Sequence, residues 1–217
     1  MYENITEHGI LIVLSSPSGA GKTSLATSIV SENRSIVFSV SATTRLPRSG
    51  EVDGTEYYFM DRPKFTRMIK NGDFIEYAEV FGNYYGTRKK DIQKSIQGGS
   101  DVIIDVDWQG GTQIRNSYLS SSVVSIFILP PSIQSLEERL LLRAQDDKKT
   151  EDFRMLEARS EISHWAEYDY VLINDNFSKV KEDIIKIIQA EKLRRQRQAS
   201  LPEFIARLNN EFELIKG

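Results

Sequence analysis

A loop of small residues at positions 16–21 runs directly into Lys22 and Thr23. Backbone N–H groups of such a loop can form a concave nest around phosphate oxygens, and Gly19 and Gly21 permit close approach and positive φ. The lysine adds a full charge for the terminal phosphates of a nucleotide, and the threonine hydroxyl suits Mg²⁺. The residues of this candidate nest are Ser16, Pro17, Ser18, Gly19, Ala20, Gly21, Lys22 and Thr23.

The segments around this loop support a P-loop. The apolar run 10–14 predicts a buried strand, and 22–32 predicts a helix whose N-terminus points at the anion. This order matches the pattern G-x-x-x-x-G-K-[ST], except that Ser16 stands where the pattern has its first glycine. The backbone conformation at Ser16 is therefore open, and an ordinary polar turn is the alternative interpretation.

A second group of residues suits a phosphate monoester. Arg45 and Arg48 lie on one loop that Pro47 stiffens, and paired guanidinium groups bind phosphate oxygens well. Tyr57 and Tyr85 add possible phenolic donors. The alternative for the two arginines is a solvated loop.

Carboxylates supply a third pattern. Glu76 lies in an otherwise apolar and aromatic hairpin, and a carboxylate offers two acceptors that match the N1–H and amino group of guanine. Asp105 and Asp107 follow an apolar run, where acids of P-loop enzymes face Mg²⁺ or substrate. The alternatives are a solvent-facing strand position for Glu76 and a polar strand end for the two aspartates.

Arg139 and Arg143 are four residues apart on a predicted helix, so they share one face beside a charged loop at 143–150. Arginines there can close over a transferring phosphoryl group and stabilise its charge. A basic, solvated helix face is the alternative.

The composition limits the classes of function. The chain has 217 residues, a net charge of −3 and no cysteine, so thiol catalysis, disulfides and thiolate metal sites are excluded. The small net charge does not favour nucleic acid or a membrane surface as partner, and no apolar run is long enough to span a bilayer. We expect a cytoplasmic location, with which the absence of cysteine is compatible.

Strands and helices alternate along the chain, which predicts an α/β fold with a parallel sheet core and helices on both faces. Segment 41–97 departs from this alternation and predicts an inserted lobe over the carboxyl ends of the core strands. The predicted strands are 10–14, 36–40, 56–60, 74–80, 84–85, 101–106, 123–129 and 170–173. The predicted helices are 22–32, 63–71, 88–97, 109–115, 132–142, 152–165, 180–198 and 202–215.

Taken together, these residues resemble the guanylate kinase family of P-loop nucleoside monophosphate kinases. The resemblance covers residues 9–198 and lies in the motifs SVSATTRLPRSGEVDG (39–54), YYF (57–59), FIE (74–76), GNYYGT (82–87), DVDWQG (105–110), LEERL (136–140) and EYDYVLIN (167–174). It implies the P-loop NTPase fold and ATP- and Mg²⁺-dependent phosphorylation of GMP and of dGMP in purine metabolism. It also implies a core (9–40, 98–136, 156–198), a GMP-binding lobe (41–97), a lid (about 137–155) and a C-terminal helix (199–217).

The resemblance assigns roles to the candidate residues. The GMP phosphate would contact Arg45, Arg48, Tyr57 and Tyr85, and the guanine would contact Ser41, Glu76 and Thr87, with Asp107 assisting. Asn174 would lie near the adenine of ATP, and Asp105 near Mg²⁺, which Thr23 binds. The charged groups around the transferring phosphoryl would be Lys22, Arg45, Arg139, Arg143 and Arg154.

Two other functions fit parts of the pattern. A peptide-binding module of the same build would have a damaged nucleotide site, whereas Gly21, Lys22 and Thr23 are intact here. A kinase of the same build can use another acceptor, against which Glu76 argues. The basic run 192–197 is interpreted as the end of a helix. The last helix has an apolar face that packs either on the core or on another subunit, so both a monomer and a homo-oligomer fit the sequence.

Overall fold

The structure, a computed structural model, describes residues 9–80, 82–143 and 148–216, with side chains for 9–80, 82–141 and 155–215. The strands are β1 (Leu11–Ser15), β2 (Ile36–Phe38), β3 (Ala42–Thr43), β4 (Tyr58–Phe59), β5 (Phe74–Val80), β6 (Asn83–Arg88), β7 (Asp101–Asp105), β8 (Val123–Leu129) and β9 (Tyr170–Ile173). The helices are α1 (Lys22–Glu32), α2 (Arg62–Asn71), α3 (Lys89–Gln97), α4 (Trp108–Arg115), α5 (Ile133–Arg143), α6 (Lys148–Ser163), α7 (Phe177–Lys192) and α8 (Leu201–Lys216).

Within these described residues, five strands form a parallel sheet in the order β2-β7-β1-β8-β9. The central strand β1 lies between β7 and β8, with Val13 beside Ile104 and Ser125. Because all five strands run in the same direction, their carboxyl ends meet at one edge, where ligands bind in such sheets. The loop after β1, the acids at the end of β7 and Asn174 after β9 therefore come together.

Alternation along β1 builds the two halves of the core. Ile12 and Leu14 pack on one face of the sheet with α1 and α7, and Leu11 and Val13 pack on the other face with α3 and α4. Strands with apolar residues at every position are typical of a sheet covered on both faces. The predicted α/β fold with helices on both faces is thus confirmed.

The segment between β2 and β7 forms a second sheet in the order β4-β3-β6-β5. Its small core is a stack of aromatic rings, in which the Phe65 ring lies 4.3 Å from Phe74 and 5.3 Å from Tyr84 between centroids. Phe65 comes from α2, which Asp61 caps by accepting a hydrogen bond from the Lys64 amide. This lobe has its own packing, yet β5 also sends Ile75 into the core beside α4.

The predicted continuous helix over 180–198 is wrong. Helix α7 ends at Lys192, and a 3₁₀ turn, Arg195–Arg197, follows. The buried carboxylate of Glu191 explains the break, because it accepts hydrogen bonds of 2.6 Å from both Tyr170 and Arg197. On an uninterrupted helix, a residue six positions further along the chain points to a different side. The chain must therefore turn for Arg197 to reach Glu191.

The predicted loop over 143–150 is partly wrong, since α5 extends to Arg143 and α6 begins at Lys148. Residues 144–147 lie outside the described residues. The strand predicted over 56–60 covers only Tyr58–Phe59, because residues 54–57 form a turn in which the Gly54 amide donates to the Tyr57 carbonyl over 2.8 Å. In the described part of the chain, no helix combines the length and apolar character needed to cross a bilayer.

Candidate active site

The loop after β1 has the backbone geometry of a phosphate nest. Gly19 and Gly21 adopt positive φ angles of 87° and 94°, and α1 begins immediately after Gly21. A Cβ atom at Gly21 would lie 2.7 Å from Nδ2 of Asn174, so this position requires glycine for both conformation and space. The Asn174 side chain, buried at the end of β9, donates to the Ala20 carbonyl over 2.7 Å and supports the loop from behind.

The end of β7 contacts the two polar side chains that follow this loop, Lys22 and Thr23. Nζ of Lys22 lies 2.5 Å from Oδ1 of Asp105 and donates to the Val106 carbonyl over 2.9 Å. The Thr23 hydroxyl donates to Oδ2 of the same carboxylate over 2.5 Å. Because β1 and β7 are neighbours, one aspartate orients both Lys22 and Thr23 toward the space above the loop.

One backbone amide of the loop already donates a hydrogen bond to a carboxylate oxygen. The amide of Ser18 donates to Oε2 of Glu161 on α6, with 3.0 Å between nitrogen and oxygen. Partial burial of Glu161 raises its pKa, and the hydrogen bond from Ser18 opposes that rise. Sequence reasoning missed Glu161, since 143 residues separate it from Ser18. The contact shows that this loop accommodates a negatively charged oxygen, as a nucleotide phosphate requires.

In the lobe, three residues of the predicted phosphate-monoester site, Arg45, Tyr57 and Tyr85, form one cluster. The Arg45 guanidinium lies 5.4 Å from the centre of the Tyr57 ring, and the Tyr57 ring lies 6.0 Å from that of Tyr85. Arg45 binds Glu51 through two hydrogen bonds of 3.0 and 2.7 Å, and the Arg48 amide also donates to Glu51. The Arg45 hydrogen bonds are the main reason that the pKa of Glu51 falls to about 2.

Sequence analysis did not single out Glu51, although it lies within the same loop motif as Arg45 and forms an ion pair with it in this structure. The Arg48 side chain is exposed, so only its backbone takes part in this cluster.

Glu76 does not occupy a solvent-facing position of strand β5. Its side chain is buried, and Oε1 accepts a 2.6 Å hydrogen bond from the Thr87 hydroxyl. Burial raises its pKa to about 7, and the nearby Asp107 charge adds to the rise. Ser41 precedes β3, and the β3–β6 register continued by one residue brings it opposite Thr87. The three predicted base-reading residues therefore lie in one region.

Asp107 serves two purposes in this geometry. Its Oδ1 accepts a 2.8 Å hydrogen bond from the Gly110 amide and so caps α4, a role that sequence analysis did not assign. It also lines a cleft of about 670 Å³ between the P-loop and the lobe. The other walls of this cleft are Lys22, Thr23 and residues 16–19 and 21 of the loop, 78–80 of β5, Trp108 and Gln109 of α4, and Glu157, Ser160 and Glu161 of α6.

A second cavity, of about 470 Å³, opens on the other side of the P-loop. Asn174, Arg139 and Phe177 line it together with Gly19 and Gly21. The Arg139 guanidinium donates to the Ala20 carbonyl over 3.4 Å, so this residue contacts the loop. The side chains of Arg143 and Arg154 lie outside the described residues, at the end of α5 and in α6.

Comparison with known proteins assigns a family to this geometry. The model of the family described as guanylate kinase matches residues 8–191. The guanylate kinase of Cereibacter sphaeroides is 52% identical over 209 residues, which cover 96% of this chain and 99% of that protein. The guanylate kinase of Ruegeria pomeroyi is 50% identical over 94% of this chain and 96% of its own length. The crystal structure of guanylate kinase from Anaplasma phagocytophilum has a TM-score of 0.74 and 37% identity, over 92% of this chain and 94% of that one.

Proposed function

The chain belongs to the guanylate kinase family, and we propose that the P-loop side of its cleft holds ATP while the lobe side holds GMP. Its activity is that of a nucleoside monophosphate kinase, the ATP-dependent phosphorylation of GMP to GDP. The observation that carries the substrate assignment is Glu76, whose buried carboxylate accepts from Thr87 and lies near the charge of Asp107, a residue that lines the cleft. Guanine alone among the nucleobases offers it two adjacent donors, whereas adenine would leave the carboxylate unpaired.

The residues of the lobe bind the acceptor in this proposal. Arg45, Arg48, Tyr57 and Tyr85 hold the GMP phosphate, and Glu51 keeps the Arg45 guanidinium in place through its bidentate pair. Ser41, Glu76 and Thr87 contact the guanine, with Asp107 near its amino group. We assign the lobe to 41–97, the core to 9–40, 98–136 and 156–198, and the lid to about 137–155.

The residues proposed to bind ATP, the phosphoryl donor, are those of the loop after β1 and its neighbours. Backbone amides of residues 16–23 surround the ATP phosphates, Lys22 neutralises their charge, and Asn174 and Arg139 border the cavity proposed for the adenine. The oxygen donors of Thr23 and Asp105, which already lie together at the loop, fit Mg²⁺, which prefers a few protein oxygens plus phosphate oxygens. A bound Mg²⁺ would supply charge neutralisation between the β- and γ-phosphates.

The chemistry is an in-line displacement. An oxygen of the GMP phosphate forms the new bond to the γ-phosphorus of ATP, the bond to the bridging oxygen breaks, and ADP leaves. The attacking oxygen is already ionised near neutral pH, so a general base is not required. Positioning and the positive charges of Lys22, Arg45, Arg139, Arg143 and Arg154 therefore provide the catalysis.

An acceptor panel tests this proposal. ADP formation from MgATP is measured with GMP, dGMP, AMP, CMP, UMP and IMP in turn. We expect strong activity with GMP, lower activity with dGMP and little with the pyrimidine nucleotides and AMP. A folded protein that binds GMP without forming ADP would instead be a binding module, and equal activity with AMP would contradict the role of Glu76.

A cytoplasmic location, a place in purine nucleotide metabolism and a possible homo-oligomer stay predictions of the sequence.

A further inference from the structure

Helix α4 contacts the free edge of the lobe through an uncommon pair of hydrogen bonds. Strand β5 is an edge strand of the lobe sheet, so every second residue directs its backbone N–H and C=O away from β6. At Tyr77 the Gln113 side chain meets both groups. Its Oε1 accepts from the Tyr77 amide over 3.1 Å, and its Nε2 donates to the Tyr77 carbonyl over 3.0 Å. The amide side chain thus acts as a one-residue substitute for a neighbouring strand.

The same helix also touches the residue next to Tyr77. Gly110 lies one turn before Gln113 on α4 and is buried. A Cβ atom at Gly110 would be 3.2 Å from Oε2 of Glu76 and 3.0 Å from the Cβ of Val106. The absence of a side chain at Gly110 therefore sets how closely the Glu76 carboxylate approaches α4.

A β-bulge brings the strand to this contact. The register between β5 and β6 shifts between Phe74 and Glu76, so Ile75 is the extra residue. Phe74 packs in the aromatic core of the lobe, whereas Ile75 packs in the main core with Ile114 of α4. The bulge and α4 together hold Glu76 at the boundary between lobe and core.

The start of α4 is fixed to the P-loop side of the cleft. Asp107 caps the helix at Gly110, and β7 directly before it carries Asp105, which binds Lys22 and Thr23. One short segment, 105–113, thus contacts the residues proposed for ATP at one end and the strand that carries Glu76 at the other.

We propose that Gly110 and Gln113 are positioning residues that set the place of Glu76 relative to the P-loop and thereby determine the preference for guanine. Neither contacts the substrate in this proposal, which rests on the proposed role of Glu76. The contact works because a carboxylate pairs with the N1–H and amino group together only when both oxygens face the same base edge. A shift of a few tenths of an ångström weakens the contact to the amino group.

The variants G110A and Q113M test this role, with the ratio of kcat/KM for GMP to kcat/KM for IMP as the readout. IMP keeps the N1–H and lacks the amino group, so the ratio reports the contacts made to the amino group. An added methyl group at Gly110 would lie 3.0 Å from Val106 and 3.2 Å from the Glu76 carboxylate, which must then shift by a few tenths of an ångström. We expect the ratio to fall about tenfold. For Q113M we expect a fall of about fivefold, because the lost hydrogen bonds are exposed to water.

The matched controls are G98A and Q97M at the end of α3. Gly98 has a φ of −76°, which alanine accepts, and Gln97 is exposed. Neither residue lines the cleft within the described part of the chain, so the ratio stays at the wild-type value in both. Unfolded protein lowers the activity with GMP and IMP equally, so the ratio is also informative for a destabilised variant.

A double-mutant cycle with E76Q completes the test. If Gly110 and Gln113 act through Glu76, neither G110A nor Q113M lowers the ratio further in the E76Q enzyme. An unchanged ratio in both single variants, or an equal fall with and without Glu76, overturns the positioning role and leaves the proposed function intact. A wild-type enzyme that uses GMP and IMP equally would overturn the role of Glu76 itself, and the positioning role with it.

Discussion

The charge of Glu76 gives a pH dependence to guanine binding. Burial raises the pKa of this carboxyl group from 4.5 to about 7. Only the ionised form presents two acceptors to the N1–H and amino group, whereas the protonated form turns a donor toward them. Guanine binding therefore requires the carboxylate, and it must weaken as the pH falls through 7.

The magnitude follows from the fraction of ionised Glu76. With a pKa of about 7, about nine-tenths of the protein is ionised at pH 8 and about a tenth at pH 6. We expect the affinity for guanine to fall about tenfold between these values. An unshifted carboxyl group would lose almost nothing over the same range.

Binding of guanosine, measured by calorimetry at pH 6, 7 and 8, is the suitable assay. Guanosine lacks the phosphate of GMP, whose own pKa of about 6 would add a second pH effect. At pH 7 about half of the Glu76 groups are protonated before binding, so about half a proton is released per guanosine, which buffers of different ionisation enthalpy detect. The E76Q variant should bind weakly, without pH dependence and without proton release.

An affinity for guanosine that is constant from pH 6 to pH 8 in the wild-type protein would refute this reasoning. Either the carboxyl group would then have an ordinary pKa, or it would not contact the base. Proton uptake on binding would refute it as well, because the sign of the linkage would be reversed.

Three further predictions concern stability and the donor side. A folded-state pKa raised from 4.5 to about 7 makes Glu76 increasingly destabilising as the pH rises through this window. The free energy of unfolding of E76Q, measured in urea titrations, should therefore exceed that of the wild type by about 3 kcal/mol at pH 8 and by little at pH 4. In K22A the transferring phosphoryl loses its lysine, so kcat should fall by at least about 10³-fold, and near-normal turnover would contradict the P-loop assignment. E161A removes the carboxylate that occupies the Ser18 amide, so the KM for MgATP should fall about fivefold, whereas E157A, which removes a charge from the same cleft, should have a smaller effect.

Much of the fold was predictable because its signals are local. Helix α1 and strand β8 have the predicted boundaries, since an apolar run ending at Pro130 and a Gly-Lys-Thr start are features of neighbouring residues. The helix predicted from residue 132 begins at Ile133, and the Ser132 hydroxyl caps it by accepting from the Ser135 amide over 3.0 Å. The break after Lys192 was missed, because its cause is a buried contact between Glu191, Tyr170 and Arg197.

The features of the candidate site are likewise of two kinds, those that local sequence predicts and those that depend on distant contacts. The residue types of the P-loop, the Arg45 cluster and Glu76 determined by themselves which chemistry is possible, and the motifs around them indicated the family. Only the tertiary structure decided which groups meet, as with Gln113 and Tyr77, 36 residues apart, or Glu161 and Ser18, 143 residues apart. Chemistry is a property of a side chain and its spacing pattern, whereas burial, a shifted pKa and a hydrogen-bond partner depend on the path of the whole chain.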